Sequence, residues 1–297
     1  MLQSSLIGLA KWRELAYDFS LLVKTRLCLL VLLTTLVGFL MGRHDVALPY
    51  RTLLITLVGT ALSAGGVAAL NQWWEREWDA CMERTRNRPL PGGRFHPSGV
   101  LAGGILFSLA GIVILLLLVN RLSAAFAVFT VASYLLLYTP LKRTTSLNTL
   151  VGAVSGALPP LIGCTAAQGR VGIEGCFLFA ILWLWQVPHF LALAWTYRNQ
   201  YTRAGFVMLS KKDSSGVATS FQALVYAILL LVVSLLPVAA GLNTIFYLLL
   251  ALPLGSWLVF QASRFTQKRS HANARALFLS SILYLPLLLG ALLATKR

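Results

Sequence analysis

Asn71, Glu75 and Asp79 recur at every fourth position. On a helix such positions share one stripe that drifts by about 40° per step, so their oxygens can face one side. An amide and two carboxylates presenting oxygen suit Mg²⁺, a hard cation that bridges protein carboxylates to substrate phosphates. Arg84, Arg86 and Arg88 follow within a few residues, and guanidinium groups grip phosphate oxygens in pairs. Carboxylates for a metal and arginines for an anion make a diphosphate site. The bland alternative is a solvated loop of local Glu–Arg pairs, and Arg76, Glu77 and Glu83 are read that way.

The elements that must position this stripe are membrane helices. Of 297 residues, 58% are hydrophobic and 11% charged, whereas soluble domains carry about 25% charged residues. Uncharged stretches such as Leu27–Met41, Leu53–Leu70 and Ala218–Ala240 approach or exceed the roughly 20 residues that cross a bilayer core. Backbone groups cannot stay unpaired in hydrocarbon, and the blocks lack the alternation of barrel strands. The expectation is an all-α integral membrane protein, a single domain over residues 1–297. About nine spans fall near residues 21–41, 52–72, 98–119, 122–139, 148–167, 173–196, 217–240, 244–262 and 274–294. Residues 1–20 read as an interfacial helix, with Leu6, Leu9, Trp12 and Leu15 among polar positions.

The net charge of +16 is laid out as topology and gives no reason to expect nucleic acid. Nineteen of the 25 basic residues fall on the N-terminal side of these spans, and positive charge marks the cytoplasmic face. The N-terminus is therefore expected inside and the C-terminus outside. With no long basic presequence, a bacterial inner membrane is expected. Cys28, Cys81, Cys164 and Cys176 show no metal-ligand spacing and read as small apolar side chains. The small residues around Pro159-Pro160 read as cavity architecture, since prolines break a span where a cavity can satisfy the backbone.

At Asn71-Gln-Trp-Trp-Glu75-Arg-Glu-Trp-Asp79, followed by Met82, Arg84-Thr85 and Arg88-Pro89-Leu90-Pro91, the chain resembles the UbiA-type superfamily of intramembrane prenyltransferases, and within it the branch that prenylates haem. Glu75 takes the middle position of the superfamily's NxxxDxxxD motif. The likeness extends along most of the chain. It includes Lys24-Thr-Arg26, Tyr138-Thr139-Pro-Leu-Lys142-Arg143, Gly156-Ala157-Leu-Pro159-Pro160, Trp185-Gln186-Val-Pro188-His189-Phe190 and Ala204-Gly205-Phe-Val-Met208-Leu209. The resemblance implies nine helices in a bundle around a central cavity, with Asn71, Glu75 and Asp79 holding Mg²⁺ and an isoprenyl diphosphate. It implies farnesyl diphosphate and haem B as substrates and haem O as product. A downstream haem A synthase or haem-copper oxidase assembly is implied by the branch alone.

One departure stands out. The haem branch usually carries two aspartates and a tyrosine before the Ala204-Gly205 stretch; here Asn199, Gln200 and Tyr201 stand there. Amides still offer oxygen to a metal or hydrogen bonds to a diphosphate, without charge, and Asp213 is a weak substitute. Arg84, Arg88, Lys142 and Arg143 are the cationic candidates for the diphosphate, the last two also readable as topology anchors. His189, beside Pro188, is a candidate haem ligand or propionate contact, or else a structural histidine. Lys24 and Arg26 are candidates for the propionates, or boundary anchors. Two other readings stay open: a prenyltransferase acting on an aromatic quinone precursor, and a transporter or non-catalytic haem-binding membrane protein.

Overall fold

The computed structural model describes residues 2–43 and 49–297, with side chains described from Lys11 onward; His44 and the side chains of Leu6 and Leu9 lie outside it. The described secondary structure is helical apart from an isolated antiparallel bridge between Asn243 and Lys296. α1 (Leu2–Leu22) leads through a turn into α2 (Thr25–Gly42), followed by α3 (Tyr50–Asp79), α4 (Pro97–Leu118) and α5 (Arg121–Ala132). A π-helix (Ser133–Tyr138) runs on from α5 into α6 (Thr139–Thr144), and α7 (Asn148–Ala157) bends at Leu158 into α8 (Pro159–Gln168). Next come α9 (Ile173–Thr196), the short α10 (Arg198–Arg203) and α11 (Leu209–Lys212), and α12 (Val217–Ala239). A single 3₁₀ turn then opens α13 (Leu248–Gln267), and α14 (His271–Ala294) ends the chain.

Among the described residues nine helical stretches are long and apolar enough to cross a bilayer. They lie close to the expected spans, with two shifts of consequence. The first span begins at Thr25, because Lys24 adopts the left-handed conformation (φ 51°) and breaks the helix there. The second is one unbroken helix from Tyr50 to Asp79, so the acidic stripe is the end of a span and not a loop.

The packing is the inverse of a soluble domain. Large apolar side chains such as Leu29, Leu54, Leu117, Leu249 and Leu283 point outward, while Thr35, Thr56, Ser123, Thr165, Ser220 and Ser234 are buried between helices. Water drives none of this burial, so helices associate through close backbone approach and hydrogen bonds between polar groups. Gly163 shows the first device: a Cβ there would stand 2.6 Å from the Phe39 backbone nitrogen on α2. Replacing Gly163 by Leu is therefore expected to force α2 and α8 apart and lower the detergent-solubilised melting temperature steeply, whereas Leu at Gly290, where a Cβ meets open space, should leave it near wild type.

An apolar core around Tyr284, Leu258, Phe265 and Trp195 ties α9, α12, α13 and α14 together. The other half of the bundle, from α2, α3, α5, α7 and α9, surrounds a cavity.

Candidate active site

The cavity holds about 370 Å³ and carries its charged groups at the end where α3 finishes. Glu75 and Asp79 line it, together with Lys24, Arg84, Arg88 and Lys142. Each carboxylate is held by one cation. Lys142 Nζ donates to Glu75 Oε1 at 2.7 Å, and Arg88 donates to Asp79 Oδ2 at 2.5 Å. Both acids are buried, so their charges act through a medium that screens far less than water. Burial pulls the Lys24 pKa down to about 7, but Arg84, Arg88 and Lys142 still outnumber the two carboxylates, which leaves this end of the cavity positive and suited to a polyanion. The rest of the wall is apolar or weakly polar, from Leu27, Val31, Val67, Ala127 and Ile162 among others. A charged head and a largely apolar wall in one space fit an amphiphile with an anionic end.

The expected stripe is present, with one member turned to another task. Asn71 is fully buried and is not among the residues that line the cavity. Its Oδ1 accepts from Lys24 Nζ at 2.7 Å and its amide donates to Thr139 Oγ1 at 3.3 Å. Thr139 in turn donates to the Tyr134 carbonyl at 2.9 Å. Asn71 thereby fixes the strained Lys24 joint on one side and the π-helix on the other.

The π-helix arises next to Pro140, which has no N–H to continue the ladder, and Thr139 N bonds Tyr134 O five residues back. Wide turns of this kind cluster at functional sites. This one presents Tyr134 and Tyr138 to the cavity with ring centroids 5.2 Å apart. Lys142 Nζ lies 4.4 Å from the Tyr138 ring centroid. The two tyrosines were not read as site residues from sequence. The signal was available: Tyr134, Tyr138 and Lys142 repeat the i, i+4, i+8 spacing of the acidic stripe. Gln186, a further cavity residue, donates to the carbonyls of Ala153 and Leu182, both at 3.1 Å.

Several expected site residues lie elsewhere. Arg143 is exposed and stacks on Trp78 at 4.4 Å, and Arg26 is exposed to the surroundings of the bundle, so of each basic pair only Lys142 and Lys24 reach the cavity. Tyr201 lines the cavity and accepts a 3.3 Å hydrogen bond from Arg84, but Asn199 is exposed and neither it nor Gln200 lines the space. The cause is α10, a separate short helix whose phase puts one side chain inward. Asp213 is committed to the start of α12: its carboxylate accepts from Thr219 N at 2.7 Å and Ser215 Oγ at 3.0 Å. Burial works against its charge, yet those hydrogen bonds prevail and hold its pKa below the ordinary value. It gives nothing to the cavity. His189 also turns away, bonding Ser281 on α14 at 2.8 Å between the rings of Trp185 and Phe278. It joins α9 to α14 in the manner of a structural histidine.

Among the described residues no group of three or more acidic, histidine or cysteine side chains forms a metal cage. Two carboxylates with a bound diphosphate are nevertheless an ordinary donor set for Mg²⁺, which keeps waters and takes phosphate oxygens as ligands. The ion pairs with Lys142 and Arg88 occupy one oxygen of each acid, and the second remains to serve a metal.

Residues 31–282 match the model of the UbiA prenyltransferase family. The chain is 45% identical over 287 residues to the protoheme IX farnesyltransferase of Solibacter usitatus, covering 94% of this chain and 98% of that one. It is 46% identical to the enzyme of the same name from Opitutus terrae, covering 94% of each. Among solved structures, one concerning digeranylgeranylglyceryl phosphate synthase superposes with a TM-score of 0.81 at 16% identity, covering 95% of this chain and 98% of that one. A UbiA homolog from Archaeoglobus fulgidus bound to DMAPP and Mg²⁺ superposes with a TM-score of 0.68 at 12% identity, covering 93% and 99%. At those identities the structural likeness speaks for the fold.

Proposed function

The chain belongs to the UbiA prenyltransferase family, and we propose that it moves a farnesyl group from farnesyl diphosphate to a vinyl group of haem B, giving haem O. The observation that carries this reading is the cavity: a positive, carboxylate-bearing head continuous with an apolar body. The high identity to protoheme IX farnesyltransferases supports haem as the acceptor in preference to a quinone precursor.

Glu75 and Asp79 would hold Mg²⁺, which when bound adds positive charge to stabilise the departing diphosphate. Arg84, Arg88, Lys142 and Lys24 bind the diphosphate oxygens from the other directions. The allylic C–O bond breaks with its electron pair leaving on the diphosphate, where these cations receive the growing charge. The apolar walls keep water from the allylic cation until the vinyl group supplies its electron pair to form the new C–C bond. Water then adds to the adjoining carbon on the haem side and loses a proton, completing the hydroxyethylfarnesyl substituent. Tyr134 and Tyr138 line the space where the positive charge develops, and aromatic rings attract cations, as the Tyr138 ring already does with Lys142. No protein nucleophile is needed. The basic residues at the ends of the spans further support a bacterial inner-membrane placement with the N-terminus and this site on the cytoplasmic side.

The test is direct. Membranes containing the protein, supplied with haem B, farnesyl diphosphate and Mg²⁺, should yield a haem with the mass of haem O on extraction. Haem B left unchanged while an aromatic acceptor gains a prenyl group would replace this reading with the quinone-precursor one.

A further inference from the structure

Gln186 is a polar side chain inside the apolar run of α9, about 15 Å from its Thr196 end at roughly 1.5 Å per residue. It is 6% exposed and lines the cavity, and an amide at such depth must satisfy its hydrogen bonds. Its nitrogen does so, because both amide hydrogens go to carbonyls, those of Ala153 and Leu182. These partners also fix the orientation of the amide, since its oxygen in that place would face two acceptors. Among the described residues Oε1 receives no hydrogen bond, and the packing does not seal it off.

The oxygen has its place because Gly156 has no side chain. A Cβ at Gly156, which also lines the cavity, would collide with Gln186 Oε1. The depth of the oxygen follows from the same helix. One turn nearer the charged end, a Cβ at Gly152 would stand 2.6 Å from the Tyr138 ring, and Lys142 Nζ lies 4.4 Å from the centroid of that ring. Oε1 therefore stands about one helical turn, roughly 5.4 Å, deeper than Tyr138. With the diphosphate at Lys142, that is the depth of the first prenyl carbons and of the bond made to them. Ser155, the neighbour of Gly156 on α7, lines the cavity too and gives its hydroxyl hydrogen to the Gly152 carbonyl at 2.8 Å. Both groups can only accept, and neither a prenyl chain nor the vinyl edge of haem has a hydrogen to donate.

We infer that Gln186 Oε1 holds and aims the water that completes the product, a reading that rests on the proposed transfer to haem. The vinyl π pair makes the new C–C bond and leaves the adjoining haem-side carbon cationic. Oε1 and Ser155 Oγ take the hydrogens of one water, since a water at a buried site needs at least two polar partners. Its lone pair then faces that carbon. The C–O bond forms, one O–H bond breaks, and the released diphosphate takes the proton. When the water is misplaced, the same cation has a second exit: it loses a proton from the neighbouring CH₂ to the diphosphate and ends as an alkene. Gln186 is thus a positioning residue that selects between two products of one cation.

The test supplies the full-length protein in lipid nanodiscs with haem B, farnesyl diphosphate and Mg²⁺, and extracts the haems for mass spectrometry. Two products are quantified, haem O and the farnesylated alkene that is lighter by one water, with wild type extracted alongside to set the background of dehydration. Gln186→Leu removes the acceptor oxygen, and Gly156→Ala keeps it but displaces it. Each is expected to raise the alkene relative to haem O by about tenfold, the worth of one hydrogen bond. Gln186→Glu, whose carboxyl restores an acceptor oxygen, should bring the ratio back toward that of wild type. The ratio is read from whatever fraction of each variant folds, so a poor yield does not hide it. A wild-type ratio in both Gln186→Leu and Gly156→Ala overturns the inference even where turnover falls, because a glutamine that only joins α9 to α7 changes the amount of product and not its partition. If wild type makes haem O in that case, only the role of Gln186 is lost. A wild type that makes no prenylated haem removes the reaction and this inference with it.

Discussion

Asp79→Asn is expected to lower haem O formation by about 10²–10³-fold, the scale on which removal of one preorganised electrostatic group acts, while the protein still folds and inserts. The substitution keeps the shape of the side chain, and its amide oxygen can still accept from Arg88, which now holds the carboxylate at 2.5 Å. What disappears is one of the two buried negative charges that face the cavity. A site that holds its metal through carboxylates must then need more Mg²⁺ for the activity that remains. Turnover measured across a Mg²⁺ series therefore reports on the role of Asp79. A shifted Mg²⁺ requirement is the expected result. A lowered maximum with an unshifted requirement would mean that Asp79 works only by anchoring Arg88. Asn71→Leu supplies the contrast. Asn71 is spent on Lys24 and Thr139, so its loss should lower the maximum rate through a loosened Lys24 joint and π-helix, with the Mg²⁺ requirement in place.

The difference between those two residues marks how far the sequence could be read. The i, i+4, i+8 spacing correctly put Asn71, Glu75 and Asp79 on one helix, because apolar length and helical period survive any tertiary arrangement. A stripe that drifts by about 40° per step does not say which member faces the cavity and which faces a neighbouring helix. The left-handed Lys24 and the π-helix upstream of Pro140 decided that, and both are backbone irregularities that propensity does not announce. Asn199 and Gln200 stand outside the cavity lining for a related reason. They were aligned to a motif, but α10 is only six residues long, and the phase of so short a helix is set by its neighbours. His189 lies in an apolar span, where any histidine needs a partner. The serine that satisfies it comes from α14, 92 residues away in the chain.

Lys142→Met should be the most destabilising single change at the site, because it strips Glu75 of its counter-charge in a buried place. Leaving one member of a buried ion pair alone costs about 3–5 kcal/mol, and both side chains here are nearly inaccessible, at 11% and 6% exposure. The melting temperature in detergent should fall, and turnover should vanish. The informative experiment adds Glu75→Met to the same chain. Replacing both charges by apolar groups of similar volume removes the desolvation penalty, and such exchanges are often neutral or stabilising. The double variant should thus recover the melting temperature of the wild type and recover none of the activity. A double variant as unstable as Lys142→Met alone would mean that Lys142 supports the fold through its packing on Tyr138 instead of through Glu75. Recovery of stability without activity would show that the bundle does not need this pair to stand. Its two charges would then be kept for the substrate, Glu75 to help hold the metal and Lys142 to meet the diphosphate.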